Sequence, residues 1–272
     1  MPELPEVETV VRELRPLIVG KTIDRVEAIW QKTFVDQAGL SLSGQIIQKI
    51  DRRGKFIILV LNRSYLIVHL RMTGRLSLSN GQGDLSDLPH LRCLIQFKDG
   101  SRLLFEDMRK FGRIYHVKEV EEVLKNVGID ALDTHLTFEH FYDYLKNRKM
   151  GVKAFLMSQK WIAGLGNIYT DESLFLAKIH PEQTCDQISP GQGRKLFTAV
   201  QEILHRAVEN MGSTISDYRD AYGNPGRNQL YFKVYRRAGK PCFACGALIE
   251  KKKVAGRGTH FCPQCQKLRG SK

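Results

Sequence analysis

The stretches Cys242-Phe-Ala-Cys245 and Cys262-Pro-Gln-Cys265 are separated by sixteen residues near the end of the chain. Each C-x-x-C turn directs two thiolates at one point, and two such turns facing each other complete a tetrahedral zinc site. Four sulfur ligands leave no open position, so we expect one structural Zn²⁺ that stabilises a fold and does not activate water. A redox pair or unrelated thiols are the alternatives, but the spacing favours zinc.

A basic segment, Lys251–His260, lies between the two cysteine pairs. We expect it to form a two-stranded ribbon, clamped by zinc, whose tip approaches a phosphate backbone. A solvated run of charge is the alternative interpretation of Lys251-Lys-Lys253. The glycines on either side of Arg257 favour the first interpretation, because they let a backbone approach another molecule closely.

The composition also indicates a negatively charged binding partner. The 272 residues suffice for two modest domains. The 42 Lys and Arg outnumber 29 Asp and Glu, a formal net charge of +13. Such a surplus attracts polyanions, most commonly nucleic acid, with acidic membranes and ribosomal RNA as other candidates. No stretch approaches the ~20 apolar residues of a membrane span, and the opening MPELPEVETV is acidic, so we expect a cytoplasmic protein without a membrane partner.

Hydrophobic spacing divides the chain into a β-rich first part and a helical second part. Apolar residues at helical spacing mark Glu3–Leu17, and others mark faces around Phe138–Leu145 and Leu196–Ala207. Seven β-rich runs lie between the first and second of these helices: Thr22–Trp30, Gln45–Ile50, Lys55–Leu61, Tyr65–Leu70, Leu91–Phe97, Arg102–Phe105 and Arg113–Val117.

This pattern predicts an α+β protein whose N-terminal domain is a β-sandwich or flattened barrel. The glycine-rich break Gly164-Leu-Gly-Asn167 separates two shorter helical pieces in the second part. The predicted divisions are an N-terminal helix and β-sandwich domain at 1–118, a hinge at 119–136, a helical domain at 137–234 and a zinc finger at 235–272.

The N-terminus combines a proline with two nearby carboxylates. Removal of Met1 ahead of Pro2 would leave a secondary amine, which titrates near pH ~8 if it behaves as an ordinary α-amino group. A helix N-terminus and nearby cations lower that value and leave more of the neutral nucleophile. Glu3 and Glu6 share a helix face, and Glu3 could move protons to and from a sugar that the amine attacks. First-turn carboxylates that merely favour the helix dipole are the alternative.

The opening Pro2–Val10 resembles the start of the formamidopyrimidine-DNA glycosylase family, bacterial enzymes that remove oxidised purines. The resemblance continues, in the order of the family, through five more blocks and the cysteine pairs. The blocks are Arg53–Phe56, His69–Arg75, Asp107–Gly112, Ala163–Tyr169 and Val254–Phe261.

The resemblance implies a β-sandwich domain, a helix–two-turns–helix domain and a zinc-finger hairpin, with DNA in the cleft between. It implies excision of the base followed by strand cleavage through β- and δ-elimination. The partner would be double-stranded DNA containing an oxidised base, bound by a monomer that acts at the bacterial nucleoid.

By the same resemblance, Pro2 is the Schiff-base nucleophile and Glu3 the proton donor. Lys55 and Arg257 become the further proton donors or phosphate clamps of the lyase steps. Met72, Arg109 and Phe111 fill the hole left by an extruded base, which costs about a few kcal/mol to create. The remaining residues implied to contact DNA are His90, Lys149 and Asn167.

Three departures from the family pattern bear on specificity. Arg92 stands where a second histidine is frequent, Gly128–Leu132 replaces the usual proline-rich hinge sequence, and Ser216 stands where arginine is common. Two other functions stay open at this point. One is the sister enzyme endonuclease VIII, which prefers oxidised pyrimidines, and the other is a non-catalytic zinc-ribbon protein that binds damaged DNA.

Overall fold

The computed structural model describes residues 1–82 and 85–268, and the chain forms two compact units. The first unit comprises Met1–Asn126 and Asn210–Arg227. The second comprises Val127–Glu209 and Asn228–Lys272. The last four residues of the predicted zinc finger, 269–272, lie outside the described residues.

Helix α1 (Leu4–Ile18) opens the first unit, at the place that the apolar spacing predicts. A capping box closes its first turn, since the Glu6 carboxylate accepts the backbone N–H of Glu3 at 2.8 Å and the Glu3 side chain accepts that of Glu6. Pro5 falls in this first turn, where a missing N–H costs no helical hydrogen bond. One face of α1 is buried and apolar, with Leu4, Val7, Val11, Leu14 and Ile18.

Two sheets pack with α1 around one apolar core, which confirms the predicted sandwich. One sheet has the order β1-β7-β8-β6 and the other has the order β2-β9-β5-β4-β3. The strands are β1 (Ile23–Glu27), β2 (Phe34–Asp36), β3 (Ile47–Arg53), β4 (Phe56–Leu61), β5 (Tyr65–His69), β6 (Gly74–Ser79), β7 (Leu91–Phe97), β8 (Arg102–Asp107) and β9 (Arg113–Val117).

All seven predicted β-rich runs contain strands, and two strands of the described sandwich, β2 and β6, lie outside those runs. Strand β2 has only three residues and pairs in parallel with β9, so its stability comes from a distant segment. Strand β6 begins at Gly74, and a Cβ there would lie 2.4 Å from the carbonyl oxygen of Leu70. The turn that this glycine permits brings β6 against β8.

The segment Asn210–Arg227 packs with the first unit, whereas the sequence pattern places it within the helical domain at 137–234. Two glutamates of α1 hold it: Glu6 accepts the backbone N–H of Ser213 at 2.7 Å, and Glu13 accepts that of Ala221 at 2.8 Å. These bonds join residues more than 200 positions apart, and no local periodicity signals them.

The stability of the first unit is expected to fall as pH rises, because Glu13 is partly buried beside Asp220. Burial, followed by the neighbouring Asp220, raises the pKa of Glu13 to about 7 although the Ala221 N–H opposes the shift. Between the two pKa values, the folded chain therefore keeps the Glu13 proton while the unfolded chain has lost it. The contribution of protonated Glu13 to the free energy of unfolding is complete below pH ~4.5 and is lost as pH rises through about 7. Urea unfolding of wild type and Glu13→Gln across pH 4–8 should show this slope only in the wild type; parallel curves would contradict it.

The second unit is mainly helical and ends in a small β-ribbon. The short helix α2 (Glu121–Leu124) still belongs to the first unit and precedes the second along the chain. The helices and strands of the second unit are β10 (Ile129–Asp130), α3 (Phe138–Leu145), α4 (Val152–Met157), β11 (Ile162–Ala163), α5 (Asn167–Leu176), α6 (Pro190–Glu209), β12 (Glu250–Val254) and β13 (Arg257–Phe261). Within residues 1–82 and 85–268, no helix combines the length and the apolar character that crossing a bilayer requires.

Candidate nucleic-acid interface and metal centre

Pro2 lies buried at the start of α1, immediately before the N-cap residue Glu3. Both positions therefore face the positive end of the helix dipole. Glu3 is only 2% exposed, and the capping box fixes its backbone and side chain against Glu6. The local sequence thus places a proline nitrogen and a carboxylate next to each other on a rigid helix end.

Glu6 connects this helix end to the returning segment of the first unit. One carboxylate oxygen accepts the N–H of Glu3 and the other accepts the N–H of Ser213. Gly212 lies directly beside it with φ +73°, and a Cβ there would come within 2.8 Å of the Glu6 side chain. The hydroxyl of Tyr218 donates to the Glu6 carbonyl at 3.3 Å. The start of α1 and residues 212–218 therefore form one hydrogen-bonded assembly.

Lys55 lies in the tight turn between β3 and β4 and is 7% exposed. Gly54 beside it adopts φ +59°, which makes the turn possible. Phe56 pairs with His69 of β5, and their rings meet edge to face with centroids 4.4 Å apart. Burial lowers the pKa of His69 to about 3, aided by the charges of Arg71 and Lys55. The ring is therefore neutral, and its Nδ1 accepts the Arg71 backbone N–H at 3.0 Å.

Asp107, fully buried at the end of β8, ties two loops together. Its carboxylate accepts the hydroxyl of Thr73 from the β5–β6 loop. It also accepts the backbone N–H groups of Gly112 at 2.7 Å and Arg109 at 3.2 Å from the β8–β9 loop. A buried carboxylate with several donors holds both loops in a defined relation.

The side chains that these loops present are large, apolar and exposed. Met72 is 40% exposed and Phe111 is 53% exposed. The guanidinium of Arg109 donates to the sulfur of Met72 at 3.4 Å, so the two loops also meet at their tips. Composition alone makes Met72 and Phe111 candidates for the core, whereas the structure leaves both at the surface.

Arg92 organises the loop that carries His90. Its guanidinium donates to the carbonyl oxygens of Asp107 at 2.9 Å, Leu91 at 3.0 Å and Pro89 at 3.2 Å. The exposed His90 ring has its Nδ1 3.5 Å from Arg92. Arg92, one of the three departures from the family pattern, thus stabilises the conformation of this loop.

A cavity of about 320 Å³ opens in the first unit between this region and the returning segment. Thr73, His90 and Glu106 line one side, and Ser216 and Arg219 line the other. The Ser216 hydroxyl donates to the side chain of the adjacent Asp217 at 2.8 Å. The wall of the cavity therefore mixes hydrogen-bond donors and acceptors.

In the second unit, Asn167 and the tip of the β12–β13 ribbon are joined. The Asn167 amide donates to the Gly258 carbonyl at 2.9 Å, and its oxygen, Oδ1, is buried without a hydrogen-bond partner. Ala255 and Gly256 form the two-residue turn with φ +49° and +74°. Arg257 follows this turn and is exposed. The structure thus brings two sequence-predicted site residues, Asn167 and Arg257, to one place.

Lys149 is exposed on the loop between α3 and α4. The preceding Arg148 stacks its guanidinium over the Trp161 ring at 4.0 Å from the centroid. This stacking fixes the backbone next to Lys149.

A buried ion pair that sequence reasoning missed holds the ribbon to α5. Lys153 and Asp171 are both fully buried, with Nζ 2.6 Å from Oδ1. The second Asp171 oxygen accepts the backbone N–H of His260 at 2.8 Å. The adjacent Glu172 accepts the N–H groups of three successive residues, 233–235. Two adjacent acids within a largely apolar helix are the sequence signal that points to such buried roles.

Asp171→Asn is expected to destabilise the second unit by about 3–5 kcal/mol, because the variant removes the negative charge that a buried ammonium faces. It would also loosen the ribbon at His260. Chemical denaturation measures the loss, and Asp143→Asn is the matched control, since Asp143 pairs with Lys146 at the surface and its loss should cost far less. Equal losses in the two variants would contradict the structural importance of the buried pair.

The four cysteines of the two C-x-x-C pairs converge as predicted. Their sulfur atoms all lie within 4.8 Å of one another. Cys245 and Cys262 approach to 3.4 Å, and Cys242 and Cys265 approach to 3.9 Å. Burial and the neighbouring cysteines raise the pKa of Cys265, which disfavours its thiolate form. A bound dication would stabilise the thiolates and so offset this shift. The donor set fits one structural zinc.

Comparison with known proteins covers nearly the whole chain. Family models match in three consecutive parts: the formamidopyrimidine-DNA glycosylase N-terminal domain at residues 1–114, its H2TH domain at 127–219, and the zinc finger found in FPG and IleRS at 239–268. A formamidopyrimidine-DNA glycosylase of Protochlamydia amoebophila is 43% identical over 98% of this chain and 100% of the relative.

Solved structures agree with these matches. A Lactococcus lactis Fpg mutant in complex with DNA containing Fapy-dG superposes with a TM-score of 0.89 at 38% identity, covering 98% of this chain and 100% of that chain. A MutM protein in complex with DNA containing carbocyclic 8-oxo-G has a TM-score of 0.87 at 39% identity, again covering 98% and 100%.

Proposed function

The chain belongs to the formamidopyrimidine-DNA glycosylase family, and we propose that it excises oxidised purines from duplex DNA through a Schiff base on Pro2. Strand cleavage by β- and δ-elimination would follow, so that the protein acts as both glycosylase and lyase. The observation that carries this proposal is the position of Pro2 at the dipole-positive end of α1, with the buried carboxylate of Glu3 as its neighbour.

The first step requires a neutral amine at position 2 after Met1 has been removed. The positive end of α1 disfavours the protonated form, which increases the neutral fraction of an amine whose ordinary pKa is near ~8. The Pro2 nitrogen attacks C1′ of the damaged nucleotide and forms a C–N bond. The bond from C1′ to the base breaks, and the base leaves with the electron pair and takes up a proton.

Glu3 is positioned to complete the Schiff base. After the attack, the Pro2 nitrogen gives up its proton and its electron pair forms the double bond to C1′. The C1′–O4′ bond breaks, and O4′ takes a proton from the Glu3 carboxyl group. The iminium then makes the C2′ proton acidic, and its loss expels the 3′ phosphate; a second elimination expels the 5′ phosphate.

Cationic residues in each unit are proposed to hold the phosphates of the damaged strand. Lys55 is a buried ammonium in a fixed turn of the first unit. Arg257 is exposed next to the ribbon turn of the second unit, and Asn167 is hydrogen-bonded to that same ribbon. Lys149 adds an exposed charge beside a stacked arginine.

The paired loops held by Asp107 support a role in base extrusion. Met72 offers a flexible apolar wedge and Phe111 an aromatic face, and both are exposed as an inserting side chain must be. Arg109, in contact with Met72, offers donors for the orphaned cytosine. We propose that the cavity lined by His90, Ser216 and Arg219 receives the extruded purine.

Affinity for duplex DNA should fall steeply with salt. If Lys55, Lys149 and Arg257 each neutralise one phosphate, log K should fall against log salt with a slope of about −3 or steeper. Lys149→Ala should reduce the magnitude of the slope by about 1 without changing the preference for damaged DNA. Fluorescence anisotropy over a series of salt concentrations measures both slopes, and a flat dependence would contradict phosphate binding by these residues.

The proposed activity is tested with two duplexes that carry a 5′ label on the damaged strand. An 8-oxoguanine·cytosine duplex should be cut to a fragment with a 3′ phosphate, and faster than a duplex containing thymine glycol. Faster cleavage of thymine glycol would favour the pyrimidine-specific sister enzyme. Tight binding without cleavage of either duplex would favour a non-catalytic DNA-binding protein.

A further inference from the structure

The second unit carries an open groove at the C-terminal end of α5, alongside α6. Its wider part, of about 640 Å³, runs beside the first turns of α6. A narrower part of about 210 Å³ continues towards the Phe243 turn of the zinc finger. Leu176 lines both parts, so they are neighbours, and we call the two together the α5–α6 groove.

The narrow part of the α5–α6 groove is apolar, although it opens to solvent. Phe175, Ile203 and Phe243 contribute to its walls. Phe243 is 69% exposed and Leu176 is 40% exposed. The guanidinium of Arg237 stacks on Phe243 at 3.5 Å from the ring centroid, which holds the exposed ring in place. A contiguous exposed apolar patch of this kind is typical of an interaction site, whereas single exposed apolar residues are common on any surface.

The rim of the groove is strongly cationic. Lys178, Arg194 and Lys195 border the wide part, and Arg206 and Lys233 border the narrow part. Two acids are among the lining residues. Glu172 is buried and accepts backbone N–H groups, and Glu202 lies 3.9 Å from Arg206. The groove therefore presents a positive rim around an apolar floor.

We propose that the α5–α6 groove binds an acidic segment of a partner protein that carries one large apolar side chain. Its carboxylates would face Lys178 and Lys195, and the apolar side chain would enter between Leu176, Ile203 and Phe243. Charge complementarity selects such a peptide and opposes a second copy of this chain, whose net charge is +13.

Nucleic acid fits the groove less well than such a peptide. Phosphates would satisfy the cations but would leave the apolar floor uncovered. Asn167 and Leu176 also lie at opposite ends of α5, about 14 Å apart at the helical rise. The end of the helix with the proposed DNA contact is thus distinct from the end that forms the groove.

The test uses the full zinc-loaded chain and a fluorescein-labelled peptide, Gly-Asp-Glu-Asp-Phe-Asp-Glu-Ser-Asp-Gly. Anisotropy should show saturable binding with Kd of about 10–100 µM, and alanine in place of the peptide's Phe should weaken it at least about tenfold. Lys195→Glu and Leu176→Asp should each weaken binding about tenfold, whereas Lys146→Glu, an exposed control on the loop after α3, should not.

Four outcomes would overturn the proposal. They are absence of saturation at about 1 mM peptide, equal affinity in the groove and control variants, displacement of the peptide by undamaged duplex DNA, and sedimentation showing that copies of the chain occupy the groove. Cleavage of the 8-oxoguanine duplex is measured on the same variants and should be unchanged, so the outcome is independent of the proposed glycosylase activity.

Discussion

Glu3→Gln is expected to lower the rate of Schiff-base formation and strand cleavage by about 10²–10⁴-fold, because it removes the proton donor of the ring-opening step. The amide keeps an oxygen that can accept the backbone N–H of Glu6, so the capping box and α1 should persist. Affinity for the damaged duplex should change little. Single-turnover kinetics on an 8-oxoguanine duplex, with binding measured in parallel, separates the chemical step from binding.

Glu27→Gln is the matched control for that experiment. It makes the same chemical change at an exposed position of β1 in the same unit, and turnover should stay at the wild-type rate. Unchanged turnover in Glu3→Gln would remove Glu3 from the mechanism. A loss of DNA affinity equal to the loss of rate would instead show that the carboxylate serves only to support the fold.

Cys242→Ala is expected to release the zinc and to reduce DNA affinity by at least about a hundredfold. The four sulfur atoms lie within 4.8 Å of one another, so removal of one leaves three protein ligands where a closed structural site has four. Because the binding energy of a structural zinc is folding energy, the ribbon that carries Arg257 should unfold. Metal analysis and anisotropy with a damaged duplex measure the two effects.

Cys185→Ala controls for the loss of a buried thiol in the same unit. Cys185 is fully buried and lies outside the metal cluster, so this variant should keep one zinc per chain and bind DNA normally. A Cys242→Ala protein that binds damaged DNA as tightly as the wild type after losing its metal would contradict the role of the zinc finger in binding.

Elements whose stability is local were predictable from the sequence. The apolar spacing of α1, α3 and α6 corresponds to buried faces, and the C-x-x-C spacing predicts the metal cluster. Both signals depend on residues a few positions apart, where helix or turn geometry alone sets the distance.

Elements fixed by distant contacts were not predictable in this way. Strand β2 depends on β9, and segment 210–227 depends on Glu6 and Glu13 of α1. The buried pair of Lys153 with Asp171 joins residues eighteen positions apart on different helices. Nothing in the local sequence states that these partners meet, since only the packed core brings them together.

In the candidate site, too, the sequence indicates some residues and only the structure shows others. The residue types at Pro2, Glu3 and Arg257, together with the family resemblance, indicate a nucleophile, a proton donor and a phosphate ligand. The supports of the site are visible only in three dimensions: Asp107 joins two loops, and Arg92 braces the loop of His90. The roles of the site residues themselves stay predictions until they are tested by substitution.

The most direct measurement is the location of the covalent bond to the damaged sugar. The protein is incubated with an 8-oxoguanine duplex, reduced with borohydride, digested and sequenced by mass spectrometry. We expect the sugar remnant on a peptide that begins at Pro2, attached to the ring nitrogen. A remnant on Lys55 or another lysine, or full activity in molecules that retain Met1, would show that a different amine performs the attack.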